Sequence, residues 1–279
     1  MSGHAEAYGS GPTSVRAWRP AVPGVKEVFH ARFTDHAYPA HVHQDWTVLI
    51  VDAGAVRYDL DRREHGTLEP TVSLLPPGVA HDGRSARQGG FRKRVIYLDS
   101  SMIDTGLIGA AVDNPDLIDP LLRHRVAQLH ATLAEPGNEV ESQSRLTLIL
   151  ERLRDHLGSR RPAPDGRRSD RPVARKLRDL LDQHLVDGVD LERAAADFGV
   201  APTYLIRAFT AGFGLPPHRY LVGRRVELAR RLLLDGMPIA DAAVGSGFYD
   251  QSHLSRHLRR MINTTPARYQ SSAGTVSRG

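Results

Sequence analysis

The chain has 279 residues, of which 41% are hydrophobic and 25% are charged, a composition typical of one large or two ordinary globular domains. It has no cysteine, which excludes disulfide scaffolds, thiolate metal sites and cysteine nucleophiles. No apolar run approaches the roughly 18–20 residues that span a bilayer, and no secretory signal is recognisable, so we expect a cytoplasmic protein without membrane contact.

The net charge of +5 divides unevenly along the chain. Residues 1–170 contain 21 Lys and Arg against 22 Asp and Glu, a net charge of −1, whereas residues 171–279 contain 16 against 10, a net charge of +6. Lys176 is the only lysine in that basic part, and Arg forms forked hydrogen bonds with phosphates and guanine edges. The C-terminal third is therefore suited to nucleic acid, although a solubilising surface explains the same charge.

The N-terminal half is predicted to be mainly β-structure. Residues 1–24, rich in Gly, Pro and Ser, are expected to form a flexible arm. Short β-branched and aromatic runs then follow, separated by Gly and Pro: VKEVFHARF, WTVLIVDAGAVRYDL, TVSLLPPG and RKRVIYLD. Strands at this spacing predict a small barrel or sandwich.

The period changes to helical near residue 120. Leucines at helical spacing on both sides of a PGN turn at 136–138 predict a hairpin of two amphipathic helices. Its outer face forms a dimer surface, or the two helices only cover the barrel. Residues 158–172, GSRRPAPDGRRSDRP, have no apolar period and predict a linker.

The C-terminal third contains an internal duplication. Residues 191–220 align with residues 239–269 at an offset of 48, which becomes 49 after one inserted residue. Each unit has a short helix with paired alanines, a Gly expected in a left-handed turn, and a second helix. Asp250 or Ser252 can cap that second helix in one unit, and Thr203 or Pro202 can start it in the other. This is the pattern of a helix-turn-helix.

The second helix of such a motif lies in the major groove, with its N-terminal residues on base edges. The spacing buries Leu205 and Phe209 in one unit and Leu254 and Leu258 in the other. The residues predicted to be exposed and to contact DNA are Thr203, Tyr204, Ile206, Arg207, Gln251, Ser252, Ser255 and Arg256. Gln and Arg are suited to bidentate contacts with adenine and guanine.

One amphipathic helix is predicted between the two units, at 218–236. About 20 residues at ~1.5 Å each span roughly 30 Å, which is close to the ~34 Å between successive major grooves on one DNA face. A single chain could thus place both recognition helices in adjacent grooves. The arginines of this helix touch phosphate, pair with Glu227 or Asp235, or lie in solvent: Arg224, Arg225, Arg230 and Arg231.

Residues 173–271 resemble the paired helix-turn-helix module of the AraC/XylS family of bacterial transcription regulators. The resemblance is carried by the LxRxF run at 205–209, by Gly247–Phe248 and Ser252, and by Thr265–Pro266 with Tyr269. Leu258 and Asn263 stand where the family has Phe and Gly. The resemblance implies that Arg207, Arg256 and their neighbours face double-stranded DNA. It also implies a small-molecule effector, with RNA polymerase and a second copy of the chain as further partners.

Ten of the fourteen histidines precede residue 160. His41 and His43 alternate on a predicted strand and point to one face, which Asp45 would share. His81 follows in LLPPGVAH. These segments resemble the H-x-H and P-x-G-x-x-H motifs of cupin barrels, although the glutamate of the first motif is missing at 47–48. A cupin-like effector domain is the usual N-terminal partner in the AraC/XylS family.

Three uses of these histidines stay open. They hold a divalent metal such as zinc, nickel or iron, with His41, His43 and His81 as candidate ligands; they line a pocket for a small organic effector; or they are buried or cap strands. The candidate effector-binding residues are His41, His43, His81, Trp46 and Tyr58, with Phe91 and Tyr97 as further aromatic walls or plain core. No cofactor is otherwise expected, and no nucleophile-and-base motif supports an enzyme.

The sequence therefore predicts an α+β protein of two domains. A cupin-like β-barrel with a helical hairpin occupies 25–157, and the linker at 158–172 joins it to an all-α DNA-binding domain at 173–271, followed by a tail at 272–279. The predicted function is that of a transcription regulator, for example an activator, that senses a small molecule through the barrel. The alternatives are a cupin metalloenzyme carrying a DNA-binding tail and an architectural DNA binder.

Overall fold

The structure is a computed structural model that describes residues 13–68, 70–158 and 172–274. A β-rich N-terminal domain is followed by an entirely helical C-terminal domain, as the sequence predicts. Among the described residues, no helix combines the length and the apolarity needed to cross a bilayer. The linker predicted at 158–172 lies almost entirely outside these residues.

The strands form two sheets that pack face to face. One sheet has the order β1-β2-β9-β4-β7-β10 and the other the order β3-β8-β5-β6. The strands are β1 (Ser14–Trp18), β2 (Val25–Phe33), β3 (Ala37–His41), β4 (Trp46–Gly54), β5 (Val56–Leu60), β6 (Arg63–Thr67), β7 (Thr71–Leu75), β8 (His81–Ser85), β9 (Phe91–Leu98) and β10 (Asp116–Ile118). Of the barrel and the sandwich predicted from the sequence, the sandwich is observed: the sheets do not close into a barrel, because β3 pairs with β8 rather than with an edge of the larger sheet.

Each apolar run of the sequence forms a strand, except that one run is divided into two strands. Several short strands were not predicted. The run at 46–60 is two strands, because Gly54 takes a positive φ of 79° between them. The prediction of a flexible arm is wrong for Ser14–Trp18, which pair with β2 over five residues; residues 1–12 lie outside the described chain. The short strands β6 and β8 (REHGT and HDGRS) are too polar to be recognised without their pairing partners.

The predicted helical hairpin consists of α2 (Pro120–Thr132) and α3 (Glu139–Gly158), which follow the short α1 (Ile108–Asp113) and two 3₁₀ turns. Apolar residues of both helices, such as Leu129 and Leu153, share one cluster with Trp46 and Ile96 of the larger sheet. The hairpin therefore covers that sheet. Its role as a dimer surface stays a prediction.

The C-terminal domain contains the two predicted helix-turn-helix units. Its helices are α4 (Pro172–Gln183), α5 (Leu191–Asp197), α6 (Pro202–Phe213), α7 (Pro217–Leu234), α8 (Ile239–Gly245), α9 (Gln251–Ile262) and α10 (Pro266–Gly274). Gly199 and Gly247, at φ 67° and 84°, make the left-handed turns before α6 and α9. Asp250 caps α9 by accepting from the His253 N–H at 2.7 Å, and Pro202 starts α6. Asn263 ends α9 at φ 53°, in the left-handed conformation that Gly adopts in the AraC/XylS pattern it resembles.

Gly90, in the turn before β9, is required by both conformation and space. Its φ is 79°, and a Cβ built there would overlap the Phe33 carbonyl oxygen. Gly137, between α2 and α3, has a similar φ of 89°, but nothing lies within 4 Å of its added Cβ.

We expect Gly137→Ala to lower the free energy of unfolding by about 1 kcal/mol, because only the left-handed backbone opposes it. Gly90→Ala should cost a further 1–3 kcal/mol or so, because the overlap forces β2 and β9 apart. Urea titrations followed by circular dichroism measure both. Equal losses in the two variants would contradict the steric argument.

Candidate nucleic-acid interface and effector cavity

Helix α6 presents the predicted DNA-contacting face of the first unit. Leu205 and Phe209 are fully buried in a cluster with α4 and α5. The four predicted contact residues are all exposed, namely Thr203, Tyr204, Ile206 and Arg207. Arg207 makes no hydrogen bond or ion pair with the rest of the described chain. The predicted exposure is confirmed, and contact with DNA stays a prediction.

Helix α9 repeats this arrangement in the second unit. Leu254 and Leu258 are fully buried, whereas Gln251, Ser252 and Arg256 are exposed. Ser255 is half-buried. Arg256 also forms neither a hydrogen bond nor an ion pair with other described residues, so its guanidinium is available to an external acceptor.

The three candidate histidines come together although 37 residues lie between His43 and His81 in the chain. His41 ends β3 and pairs in register with His81, the first residue of β8, while His43 lies in the loop before β4. All three are buried, and one ring nitrogen from each lies within 4.8 Å of the others. Asp45 is not part of this group. The expectation that it joins them is wrong, because the chain leaves the strand after His41.

These imidazoles are held in their neutral form. Burial lowers the pKa of His81 to about 4. Burial together with the neighbouring imidazoles lowers the pKa values of His41 and His43 well below their usual value. Burial and the nearby Glu227 carboxylate of α7 raise the pKa of Asp45 to about 6.

The histidines line a small cavity between the two sheets and the C-terminal domain. Its volume is about 50 Å³, room for only about four water molecules. Tyr58 and Tyr97 line it as predicted. Trp46 does not, because it faces the opposite side of its sheet and donates to the Ile103 carbonyl at 3.3 Å. Phe91 packs on Phe33 instead, with ring centres 5.5 Å apart.

Three polar groups of the cavity were not identified from the sequence. The ammonium of Lys93 lies 4.0 Å from the centre of the Tyr38 ring and has no carboxylate partner among the described residues. The hydroxyls of Tyr38 and Thr47 are buried and lack any hydrogen-bond partner in the described chain. Alternation along β9 was the sequence signal that identifies Lys93, because Lys93 shares the inner face of this strand with Val95 and Tyr97.

Helix α7 closes the cavity from the C-terminal domain. Gly223, Val226, Glu227 and Arg230 contribute to its lining. The Arg230 guanidinium donates to the Glu27 carboxylate of β2 at 2.5 Å and to the Tyr269 hydroxyl of α10 at 2.9 Å.

This ion pair is almost completely withdrawn from solvent. The side chains of Arg230 and Glu27 are 5% and 7% exposed. Burial alone would lower the pKa of Arg230, but the Glu27 carboxylate beside it raises that pKa well above its usual value. Arg230 is thus a fixed cation that needs its partner from the other domain.

A second polar cluster joins the domains at the other end of α7. Arg224 pairs with Glu227 and with Asp182 of α4. The Gln44 backbone N–H donates to Glu227 at 3.2 Å, and the Gln44 amide donates to the Tyr220 hydroxyl at 3.2 Å.

Most arginines of α7 are consequently occupied inside the protein. Arg224 and Arg230 are buried in ion pairs, and Arg225 donates to the Leu185 and Val186 carbonyls at 2.7 and 2.9 Å. The expected pairing with Glu227 is observed for Arg224 alone, since Arg230 pairs with Glu27 and Arg225 with backbone carbonyls.

Two family models match the chain in succession. A model described as the AraC-like ligand binding domain matches residues 23–150, and a helix-turn-helix domain model matches residues 194–272. The chain belongs to the AraC family. Its two modules coincide with the β-rich domain and with the helices that carry both recognition helices.

This AraC-family chain is 30% identical over 159 residues to the thermoregulatory protein LcrF of Yersinia pestis, which covers 57% of this chain and 51% of LcrF. The chain therefore spans about half the length of the curated relatives it matches. ToxT of Vibrio cholerae O395 has a TM-score of 0.58 at 13% identity, covering 94% of this chain and 97% of ToxT. ToxT of Vibrio cholerae strain SCE256 with a bound unsaturated fatty acid has a TM-score of 0.55 at 11% identity, covering 95% and 96%. These structures share the two-domain fold.

Replacing Glu27 by Gln should lower the free energy of unfolding by about 3–5 kcal/mol, because Arg230 would remain as an unpaired buried charge. The matched control is Arg19→Met, which breaks the other interdomain pair, Arg19–Asp235 at 2.9 Å, whose side chains are about half exposed. That control should cost less than about 1 kcal/mol. Urea titration measures both losses of stability. Comparable values would contradict the conclusion that the buried Arg230 depends on Glu27.

Lys93 generates a pH-dependent stability. Burial, reinforced by Arg230, lowers its pKa from 10.5 to about 7. Between these values the unfolded chain binds a proton that the folded chain has lost, so stability should rise with pH from about 7 upward, by at most about 1.4 kcal/mol per pH unit. Urea titrations between pH 7 and about 9.5 measure this slope.

Lys93→Met should remove that slope, and Lys26→Met should retain it, since Lys26 pairs with Asp99 at 2.6 Å. An unchanged slope in Lys93→Met would show that another group titrates in this window.

Proposed function

We propose that this protein is a sequence-specific DNA-binding transcription regulator whose β-rich domain senses a small molecule in the cytoplasm. The observation that carries the proposal is the pair of recognition helices, each with an exposed arginine that has no partner in the described chain. Helix α7 joins them over 18 residues, a span of about 27 Å, which suits two successive major grooves of one DNA face.

Each recognition helix offers side chains for a distinct part of the DNA. Arg207, Arg256 and Gln251 carry the forked donors or the amide that read guanine and adenine edges. The hydroxyls of Thr203, Ser252 and Ser255 suit phosphate oxygens, which set the orientation of the protein on the duplex. Tyr204 and Ile206 extend the apolar contact surface of α6.

The cavity supports a small polar effector. Lys93 offers an uncompensated positive charge, and Tyr38 and Thr47 offer unused hydroxyls, so a ligand with anionic or hydroxyl oxygens satisfies all three. ToxT has been solved with a bound unsaturated fatty acid. A cavity of about 50 Å³ holds no long acyl chain, so we propose a much smaller ligand for this protein.

The cavity wall supplied by α7 provides a route from effector to DNA. A ligand beside Val226 and Arg230 would change the contact between the domains and shift the population of docked and released arrangements. Release would let the two recognition helices adopt the spacing that an operator requires. We include RNA polymerase and a second copy of the chain as partners, and we assign no catalytic activity.

Selection of genomic fragments by the full-length protein, followed by sequencing, tests the proposal. We expect discrete sites with two boxes about one helical turn apart. Arg256→Ala should weaken binding by roughly 1–3 kcal/mol and relax the preference at one base pair. Arg259→Ala is the matched control, because Arg259 is exposed on the last turn of the same helix.

The control should keep the sequence preference. Sites that are lost equally in both variants would assign Arg256 to a phosphate. Recovery of random fragments by the wild-type protein would contradict sequence-specific regulation.

A further inference from the structure

The three buried histidines of the cavity point ring nitrogens toward one another. The Nδ1 atom of His41 lies 2.7 Å from the Pro39 carbonyl, and the Nδ1 atom of His81 lies 3.0 Å from the Val79 carbonyl. A carbonyl oxygen only accepts hydrogen bonds, so each Nδ1 carries the proton and each Nε2 keeps its lone pair. The His43 Nε2–H therefore donates to the His41 Nε2 at 3.1 Å, and a bound metal would displace that proton.

This arrangement is the one that metal-binding histidines adopt. A ligating imidazole usually donates its other ring N–H to a backbone carbonyl or a carboxylate, which orients the ring and fixes the tautomer. Two of the three rings already have such a carbonyl. Their backbones are also fixed, because His41 and His81 pair in register between β3 and β8.

The distances are close to those of a zinc site. Zn–N bonds of about 2.0–2.1 Å in a tetrahedron place neighbouring nitrogens about 3.3 Å apart. The His41–His43 separation is 3.1 Å, and the whole set lies within 4.8 Å. A closure of at most about 1.5 Å by side-chain rotation would therefore complete three ligands of a tetrahedral ion.

We propose that His41, His43 and His81 bind one divalent transition-metal ion, for which Zn²⁺ and Co²⁺ are the test ions. Three neutral imidazoles suit zinc, cobalt, nickel or copper, whereas calcium and magnesium require oxygen ligands. The fourth position is left to water or to a small ligand from the cavity. The inference rests on the proposed function for its regulatory meaning, since the metal would form part of the site that binds the effector.

The other charges of the cavity are compatible with a cation. Arg230 is neutralised by Glu27 at 2.5 Å. Lys93 is the other positive group of the cavity lining. An oxygen anion in the fourth position would balance the charge of the metal.

Metal binding would affect the DNA-binding domain through β3. A Cβ on Gly223 of α7 would lie only 3.7 Å from the Cβ of His41, so the helix and the ligand strand are in close contact. The following residue, Val42, lies in the same apolar cluster as Leu205 and Phe209 of α6. A change in the position of His41 would therefore affect the packing of the core of the first helix-turn-helix.

Equilibrium dialysis of the untagged full-length protein against micromolar Zn²⁺, after treatment with a chelator, tests the proposal. We expect one bound zinc per chain. His41→Gln/His81→Gln should weaken binding by about 100-fold or more. The matched control is His253→Gln/His257→Gln, which removes another close histidine pair, whose Nε2 atoms lie 3.1 Å apart on α9.

The control should bind one zinc as the wild type does. Absence of stoichiometric zinc in the wild-type protein, unchanged binding in His41→Gln/His81→Gln, or loss of binding in His253→Gln/His257→Gln would each overturn the site. X-ray absorption of the zinc- or cobalt-loaded wild type does not depend on the folding of a variant. Three imidazole nitrogens would support the site, and two or fewer would overturn it.

Genomic-fragment selection with the chelator-treated protein separates this inference from the proposed function. Discrete DNA sites without stoichiometric zinc binding would contradict the metal site but support the proposed regulatory function. If zinc binds at the three histidines but no DNA site is selected either in the presence or in the absence of zinc, the regulatory function is contradicted and the metal site is supported.

Discussion

Arg230 lies in the C-terminal half of α7, and the carboxylate that neutralises its charge comes from β2 of the other domain. The aromatic rings of Phe29, Tyr97 and Tyr269 surround its guanidinium at 4.9 to 5.7 Å. A cation so enclosed cannot lose its partner without a large desolvation cost. The relative position of the two domains therefore depends on this pair. The cavity, the exposure of the recognition helices and the route between them all follow from that position.

The same interface divides each recognition helix into a free end and a held end. The N-terminal turns, with Arg207 and Arg256, face solvent. The C-terminal turns are attached to the β-rich domain: Arg62 donates to the Thr210 carbonyl at 3.1 Å, and His36 lies 3.3 Å from the Met261 carbonyl. DNA-reading side chains are thus available while the spacing of their helices is set by the sensor domain. Such an arrangement allows an effector to act on spacing without touching the DNA-contacting residues.

The cavity occupies the point where a small change has the largest effect on this interface. Its histidines and Lys93 belong to the β-rich domain, and its far wall is α7. The apolar cluster behind it runs without a break from Leu49 and Val95 into Leu254 and Leu258 of the second unit. Because packed interiors respond to added volume by shifting whole elements, occupation of a site this small is expected to displace α7 rather than the sheets.

The sequence by itself determined the features that depend on local spacing. Helical periodicity, Asp250, Gly199 and Gly247 identified both helix-turn-helix units and their exposed faces, because caps and left-handed turns are decided within a few residues. It also identified the longer strands, but not the short polar ones or the open pairing of the sheets. Only the tertiary structure decided that Asp45 leaves the histidine group, that Trp46 faces away from the cavity, and that Arg230 is buried against a carboxylate 203 residues earlier. Those outcomes depend on which distant segments contact one another, and local sequence patterns do not determine those contacts.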